Sequence, residues 1–187
     1  MARPSVAEQR RSEIAAGTVK CLQLHGFAGT TLTRIAEVCD MSRGHVRHYM
    51  GNRDALLIAA AKEFFEGDPE VPQDGLENLD EIVDYYFGDT FTDPNEENTA
   101  VRAFLDASQQ LPAIREVVRR FYVGQRDIIA HAIEAENPTC SEVVVAETAH
   151  ALMTFALGNA FFSDVDADLA RGDMPKAIVE QILSRVR

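Results

Sequence analysis

The sequence predicts an all-α chain. Apolar residues recur at three- and four-residue intervals along most segments. No stretch alternates with period two between turn dipeptides, and helix start and stop signals punctuate the chain at intervals. With 46% of its 187 residues hydrophobic and 26% charged, the chain can bury a core, which excludes wholesale disorder.

Each element has its own local reason. Ser5-x-x-Glu8 is a capping box, in which hydroxyl and carboxylate satisfy exposed backbone donors reciprocally. The helix it opens is expected to reach about His25, with Gly26 as a left-handed stop. A second helix starts after Thr30 or Thr31 and ends near Cys39, a third runs from Ser42 to about Tyr49, and Asn52 or Arg53 opens a fourth that reaches about Glu66. The stretch 67–75, with two Pro and two Gly, reads as a linker. Leu79, Ile82, Val83, Tyr86 and Thr90 then mark one face of a fifth helix. Asp93-Pro94 reads as an N-cap and first helical residue, with Glu96 and Glu97 complementing the dipole of a sixth helix that ends before Pro112. A long seventh runs from there to about Glu136, stopped by Asn137-Pro138. Ser141-Glu142 starts an eighth that reaches about Phe162. The Asp-rich stretch 163–173 is a loop with room for one helical turn, and Pro175 to Val186 forms the last helix.

Charge is unevenly spread. The net charge is −12, yet residues 1–66 carry +2 and residues 67–187 carry −14. A locally basic head on an acidic body suits a protein that meets phosphate with one end only. The expected partition is a helix-turn-helix domain over 1–50 and a helical body over 51–187, with the helix 53–66 as connector.

The stretch from Thr30 to Arg53 carries the most chemistry. Two short helices flank Asp40-Met41, where Asp40 tolerates the left-handed backbone of a tight turn. Small Ala36 permits a close crossing, and Val46 locks the second short helix onto the first. Ile35, Val38 and Met41 complete a small core, expected against Ile14, Val19, Leu22 and Phe27. With these facing inward, Ser42, Arg43, His45, Arg47, His48 and Tyr49 face outward; all can hydrogen-bond and none is acidic. A short helix of this kind fits the major groove, where Arg reads guanine bidentately. Thr31 and Thr33 sit at a helix start, where free N–H groups favour a phosphate, and Arg53 is placed to pin the flanking backbone. The plainer reading of the same residues is a solvated polar face.

Gly26-Phe27-x-x-Thr30-Thr31-x-x-x-Ile35-Ala36, Met41-Ser42-Arg43-Gly44 and Gly51-Asn52-Arg53-Asp54-Ala55-Leu56-Leu57 together resemble the N-terminal domain of TetR-family transcriptional regulators over residues 10–60. The remaining two-thirds is similar in length and helix layout, with echoes of BetI-like regulators. The resemblance implies a homodimeric, ligand-responsive protein of about nine helices, whose last two long helices form a four-helix bundle with their mates. It also implies a double-stranded DNA partner, met by Thr31, Thr33, Ser42, Arg43, Gly44, His45, Arg47, His48, Tyr49 and Arg53. Three positions depart from the family pattern. Arg47 stands where a Tyr is usual, Met50 where a Phe is usual, and Asp40 where a Gly is usual, so an operator sequence does not transfer from relatives.

On the eighth helix, Val145, Ala149, Leu152, Ala156 and Ala160 form one stripe, with Ala146, Met153, Leu157 and Phe161 beside it; Ile178, Ile182, Leu183 and Val186 repeat on the last. The expected two-fold interface uses Ala149, Leu152, Ala156, Ala160, Ile178 and Ile182, and the competing reading is an internal core. A small-molecule effector is expected among helices four to eight. There Ser108, Gln125 and His150 interrupt apolar stripes, Tyr86 and Tyr122 bring hydroxyls, and Phe64, Phe87, Phe91, Phe104, Phe121, Met153 and Phe155 form walls.

No hydrolase, nucleotide-loop or zinc-protease motif is present, so the reading is a binding protein without cofactor rather than an enzyme. His45 and His48 have a spacing that can hold metal, but DNA contact accounts for them better, so no metal is expected. Cys21, Cys39 and Cys140 form no C-x-x-C and read as reduced thiols. The longest aliphatic run, Leu56 to Ala61, falls far short of the ~20 residues that span a bilayer. Polar residues follow Arg3, Arg10 and Arg11 where a signal peptide needs an apolar run, so the expected place is the cytoplasm, away from membranes. The alternative function is an all-α small-molecule binding or carrier protein without a DNA-binding role.

Overall fold

The computed structural model describes residues 5–67, 76, 78–92, 96–163, 165–166, 168 and 173–186. The linker expected over 67–75 (beyond Gly67), the Asp93-Pro94 start, much of the Asp-rich loop, and the side chains of Thr90, Glu96 and Glu97 lie outside the described residues.

Among the described residues the secondary structure is helical throughout. The elements are α1 (Val6–Gly29), α2 (Leu32–Val38), α3 (Arg43–Met50), α4 (Arg53–Glu66), α5 (Leu79–Phe87), the four-residue α6 (Asp89–Thr92), α7 (Glu96–Gln110), α8 (Pro112–Glu136), α9 (Glu142–Phe162) and α10 (Asp173–Leu183). Short polar side chains set most of the starts. Ser5, Thr31, Ser42, Asn52, Asn78 and Ser141 each accept an N–H from the first turn of their helix, and Ser5 with Glu8 closes the full capping box. The Ser5 backbone N–H, donating to the Glu8 carboxylate, and secondarily the Ser5 hydroxyl hold that carboxyl below its ordinary pKa. Gly26 takes φ +63° and breaks α1, after which one more turn carries the chain to Gly29.

The chain forms two compact units. One comprises residues 1–68 and 96–121, the other residues 69–95 and 122–187. The division differs from the partition expected at residue 50, because α4, α7 and the first turns of α8 group with the head.

In the first unit α4 and α7 pack along α1. Ile14, Cys21, Ile35, Ala36, Val46 and Leu56 close its core, with Val38 and Met41 packed at the edge. Farther along, Phe65 meets Phe64, Phe104 and Phe121 at ring-centroid distances of 4.9, 5.4 and 5.1 Å. Two polar contacts reinforce α4: Ser12 donates to Glu63 at 2.8 Å, and Arg120 pairs with Glu66.

In the second unit α9 packs against α5, α6 and α10. Leu79, Ile82, Tyr86, Phe87, Ile129, Ile133, Val145, Ala149, Leu152, Ala156, Val179 and Leu183 form one core cluster. By length and composition α9 is apolar enough to cross a membrane. It is the core helix of this unit, with Val145, Thr148, Ala149, Leu152, Met153, Ala156 and Ala160 all buried.

Candidate functional site

The helix-turn-helix is built from backbone upward. Asp40 adopts φ +50°, and the Met41 N–H donates to Ala36 O at 2.9 Å to close the turn between α2 and α3. Ala36 is 4% exposed and Val46 fully buried, so α3 is clamped along one side. Its other side is open: Ser42, Arg43, Gly44, His45, Arg47 and His48 are exposed, as are Thr31 and Thr33 on the preceding helix. Ser42 and Thr31 spend their oxygen lone pairs as caps, accepting from His45 N at 3.1 Å and Arg34 N at 3.3 Å. Their hydroxyl protons can still be donated to an anion.

Three rings gather along α3. Tyr49 is half-buried; His45 stacks on it at 5.3 Å with 28° between planes, and His48 meets it edge-on at 5.3 Å and 76°. Arg43 and Arg47 complete a face with no carboxylate on the helix, so an electronegative surface would meet only donors and cations there.

Arg53 departs from the expectation that it is free to grip the flanking backbone. Its Nε donates to Thr30 O and its Nη2 to Phe27 O, both at 2.6 Å, and its guanidinium lies 4.5 Å over the Phe27 ring. Carbonyls at the end of α1 thus engage two of its five N–H donors. Nothing in the local sequence signals this, because both partners are main-chain oxygens more than twenty residues away.

The residues expected to line one effector pocket divide between the two units. Phe64, Phe104, Ser108 and Phe121 belong to the first, where Ser108 satisfies its hydroxyl on Leu105 O at 2.7 Å. Tyr86, Phe87, Phe91, Tyr122, Gln125, His150, Met153 and Phe155 belong to the second. There the Tyr86 hydroxyl donates to Gln125 Oε1 at 2.6 Å in a buried setting, with Tyr85 and Phe91 packed at 5.0 Å. Burial raises the Tyr86 pKa well above the usual phenol value and pushes that of Tyr122 up to about 12. Thr148 Oγ1, missed by the sequence reading, is buried without a hydrogen-bond partner. His150 stands apart from this group, exposed on the outer side of α9.

The expected interface stripe on α9 requires correction. Ala149, Leu152, Ala156 and Ala160 are at most 2% exposed, buried within their own unit. Ile182 is half-buried against the same core. The open apolar surface lies one face further round α9. His150, Ala151, Thr154, Phe155, Gly158, Asn159 and Phe162 line a groove of about 620 Å³ with Met174, Pro175 and Ile178 of α10. Phe162 is 67% and Met174 49% exposed at its end. Of the six expected interface residues, only Ile178 lines this groove. α9 is apolar nearly all round, so its sequence does not reveal which stripe turns inward.

The profile described as bacterial regulatory proteins, tetR family, matches residues 14–60, covering α2, α3 and their supports. The HTH-type transcriptional repressor AcnR of Corynebacterium efficiens is 38% identical over 53 residues, 28% of this chain and 28% of that protein. The HTH-type transcriptional regulator BetI of Stenotrophomonas maltophilia is 30% identical over 108 residues, 58% of this chain and 48% of that protein. The matched stretch thus spans less than a third of the AcnR chain and about half of the BetI chain. A crystal structure of a TetR-family transcriptional regulator from Cytophaga hutchinsonii superposes with a TM-score of 0.79 at 15% identity, over 100% of this chain and 98% of that one. This likeness extends the shared fold beyond the matched head to the helical body. In sequence, the likeness to bacterial regulatory proteins of the tetR family is carried by residues 14–60, about a quarter of the chain.

Proposed function

We propose that this chain is a ligand-responsive transcriptional regulator, a repressor that binds a near-palindromic operator as a homodimer and is released by a small-molecule effector. The observation that carries the reading is α3 itself. With Val46 buried behind it, the helix turns Arg43, His45, Arg47 and His48 to solvent with no acidic neighbour on the same helix. Arg43 at its N-terminal end is placed for base edges, with Arg47 one turn on, and the hydroxyls of Thr31, Thr33 and Ser42 suit phosphates. The name of AcnR supports repression rather than activation.

One α3 reads one half-site, so a palindrome requires two copies. The α9–α10 groove supports a second copy as its occupant, because an apolar patch rimmed by polar residues marks an interaction surface. An effector held in the second unit would use the buried Tyr86–Gln125 pair, and the unpaired Thr148 hydroxyl is a further donor for it. Such a molecule shifts the protein only by its differential affinity for the binding and released states. A regulator of this kind works in the cytoplasm.

Selection of bound sequences from random double-stranded DNA by the purified full chain tests the proposal. Enrichment of an inverted repeat with half-sites about one helical turn apart is expected. Recovery of unenriched DNA, with binding that vanishes uniformly as salt rises, would instead favour a carrier protein whose head has another purpose.

A further inference from the structure

The carbonyls at the corner between α1 and α2 are satisfied by side chains. Gly26 O accepts Thr30 Oγ1 at 2.7 Å, Gly29 O accepts Arg34 Nη1 at 2.8 Å, and Phe27 O and Thr30 O both accept Arg53, each at 2.6 Å. A helix end leaves carbonyls without partners and carries partial negative charge, so a guanidinium is well suited to close it. Arg53 is the one member of this set from outside α1 and α2, being the first residue of α4. Its plane covers the Phe27 ring at 4.5 Å, and Nη1 lies 3.9 Å from the Asp54 carboxylate.

We infer that Arg53 is a positioning residue: it ties the start of α4 to the α1–α2 corner and thereby sets how α3 is presented, rather than contacting DNA phosphate. The inference rests on the DNA-binding reading above. The mechanical path is short. Thr30 O, one end of the clamp, belongs to the residue before the α2 N-cap Thr31. α2 in turn holds α3 through the Ala36–Met41 hydrogen bond and the buried Val46. A displacement of α4 therefore reaches the α1–α2 corner through this guanidinium, in parallel with the Leu56–Val46 core and the two-residue Gly51–Asn52 link to α3. Lysine cannot replace the guanidinium: a single ammonium supplies charge but neither the planar fork that spans two carbonyls nor the stacked face.

Arg53→Lys and Arg53→Ala in the full chain separate the two roles on an operator obtained by selection. A positioning residue gives about tenfold weaker binding in both variants, because the clamp is lost in both. The slope of log K against log salt stays at the wild-type value, whereas a lost phosphate contact lowers it by about 0.9. Wild-type affinity in the Lys variant, or a slope reduced by about one in the Ala variant, overturns the inference. A second measurement needs no DNA and no variant that must fold. In the wild-type protein the Arg53 Nε–H proton should exchange with water far more slowly than those of exposed arginines such as Arg43. Equally fast exchange would overturn the clamp. If that proton is protected while the wild type enriches no DNA, the clamp stands and it is the DNA-binding reading that has failed.

Discussion

Cys39 lays its sulfur against the bare backbone of Gly17, where a methyl group would lie 2.3 Å from Sγ. The absence of a side chain lets the end of α2 close onto α1, and burial raises the Cys39 thiol pKa above its ordinary value. A glycine inside a helix costs about 1 kcal/mol relative to alanine, while an intruding methyl costs about 1–3 kcal/mol in a packed core. Gly17→Ala should therefore destabilise the wild type in urea melts. On a Cys39→Ala background the clash disappears, and the same change should become stabilising by up to about 1 kcal/mol. An effect of the same sign in both backgrounds would show that the Gly17–Cys39 contact does not decide the outcome.

The Tyr86–Gln125 bond makes a prediction about alkaline stability. Tyr86→Phe leaves the buried Gln125 Oε1 without this donor, for a loss of about 1–3 kcal/mol near neutral pH. Burial raises the pKa of Tyr86 and pushes that of Tyr122 up to about 12, while an unfolded tyrosine ionises near pH 10. The folded state thus favours the protonated phenols. Their contribution is complete below about pH 10 and falls away as pH rises from there toward the folded values. Urea midpoints measured from about pH 8 to 11.5 should decline in the wild type and decline less in a Tyr86→Phe, Tyr122→Phe double variant. Parallel curves would rule out these two hydroxyls as the source.

What the sequence made legible is local. The caps Ser5, Thr31, Ser42, Asn52 and Ser141 announce their helices because each acts on N–H groups two or three residues away. Asp40 and Gly26 announce positive φ in the same way. Most of the outward set on α3 was readable because Val46 is the one fully buried residue of that helix; Tyr49, expected outward, is half-buried and packs with Met50 against the core. The rotation of α9 was not readable: Ala149 and Ala156 look as suited to a neighbouring protomer as to their own core, and only the contacts with α5, α6 and α10 turn them inward. Nor was Arg53, whose charge is visible in sequence while the carbonyls that hold it are not.

That rotation can be tested directly. Thr154 is exposed in the α9–α10 groove, whereas Ala156, two residues on, is 1% exposed in the core. If a second copy occupies this groove, as proposed, Thr154→Arg should leave the helical circular dichroism intact and convert the dimer to a monomer in light scattering, because the charge then falls inside the interface. Ala156→Arg should fail to fold, because it buries an unpaired charge inside the unit. A fully dimeric Thr154→Arg protein would place the two-fold interface elsewhere.

Arg47 stands where the family usually has a tyrosine, and it is exposed on α3 one turn beyond Arg43. If both arginines read base edges, each removes discrimination at its own position when truncated, by about 1–3 kcal/mol against the wrong base. Arg43→Ala and Arg47→Ala should then relax sequence preference at different positions of each half-site while binding to random DNA changes little. The measurement is a repeat of the random-sequence selection with each variant, together with salt titrations on operator and random duplexes. Equal weakening on both duplexes, with a salt slope lower by about 0.9, would reassign Arg47 to the phosphate backbone. Base readout would then fall to Arg43 and to the His45–Tyr49–His48 ring cluster, whose stacking holds Tyr49 beside the groove-facing residues.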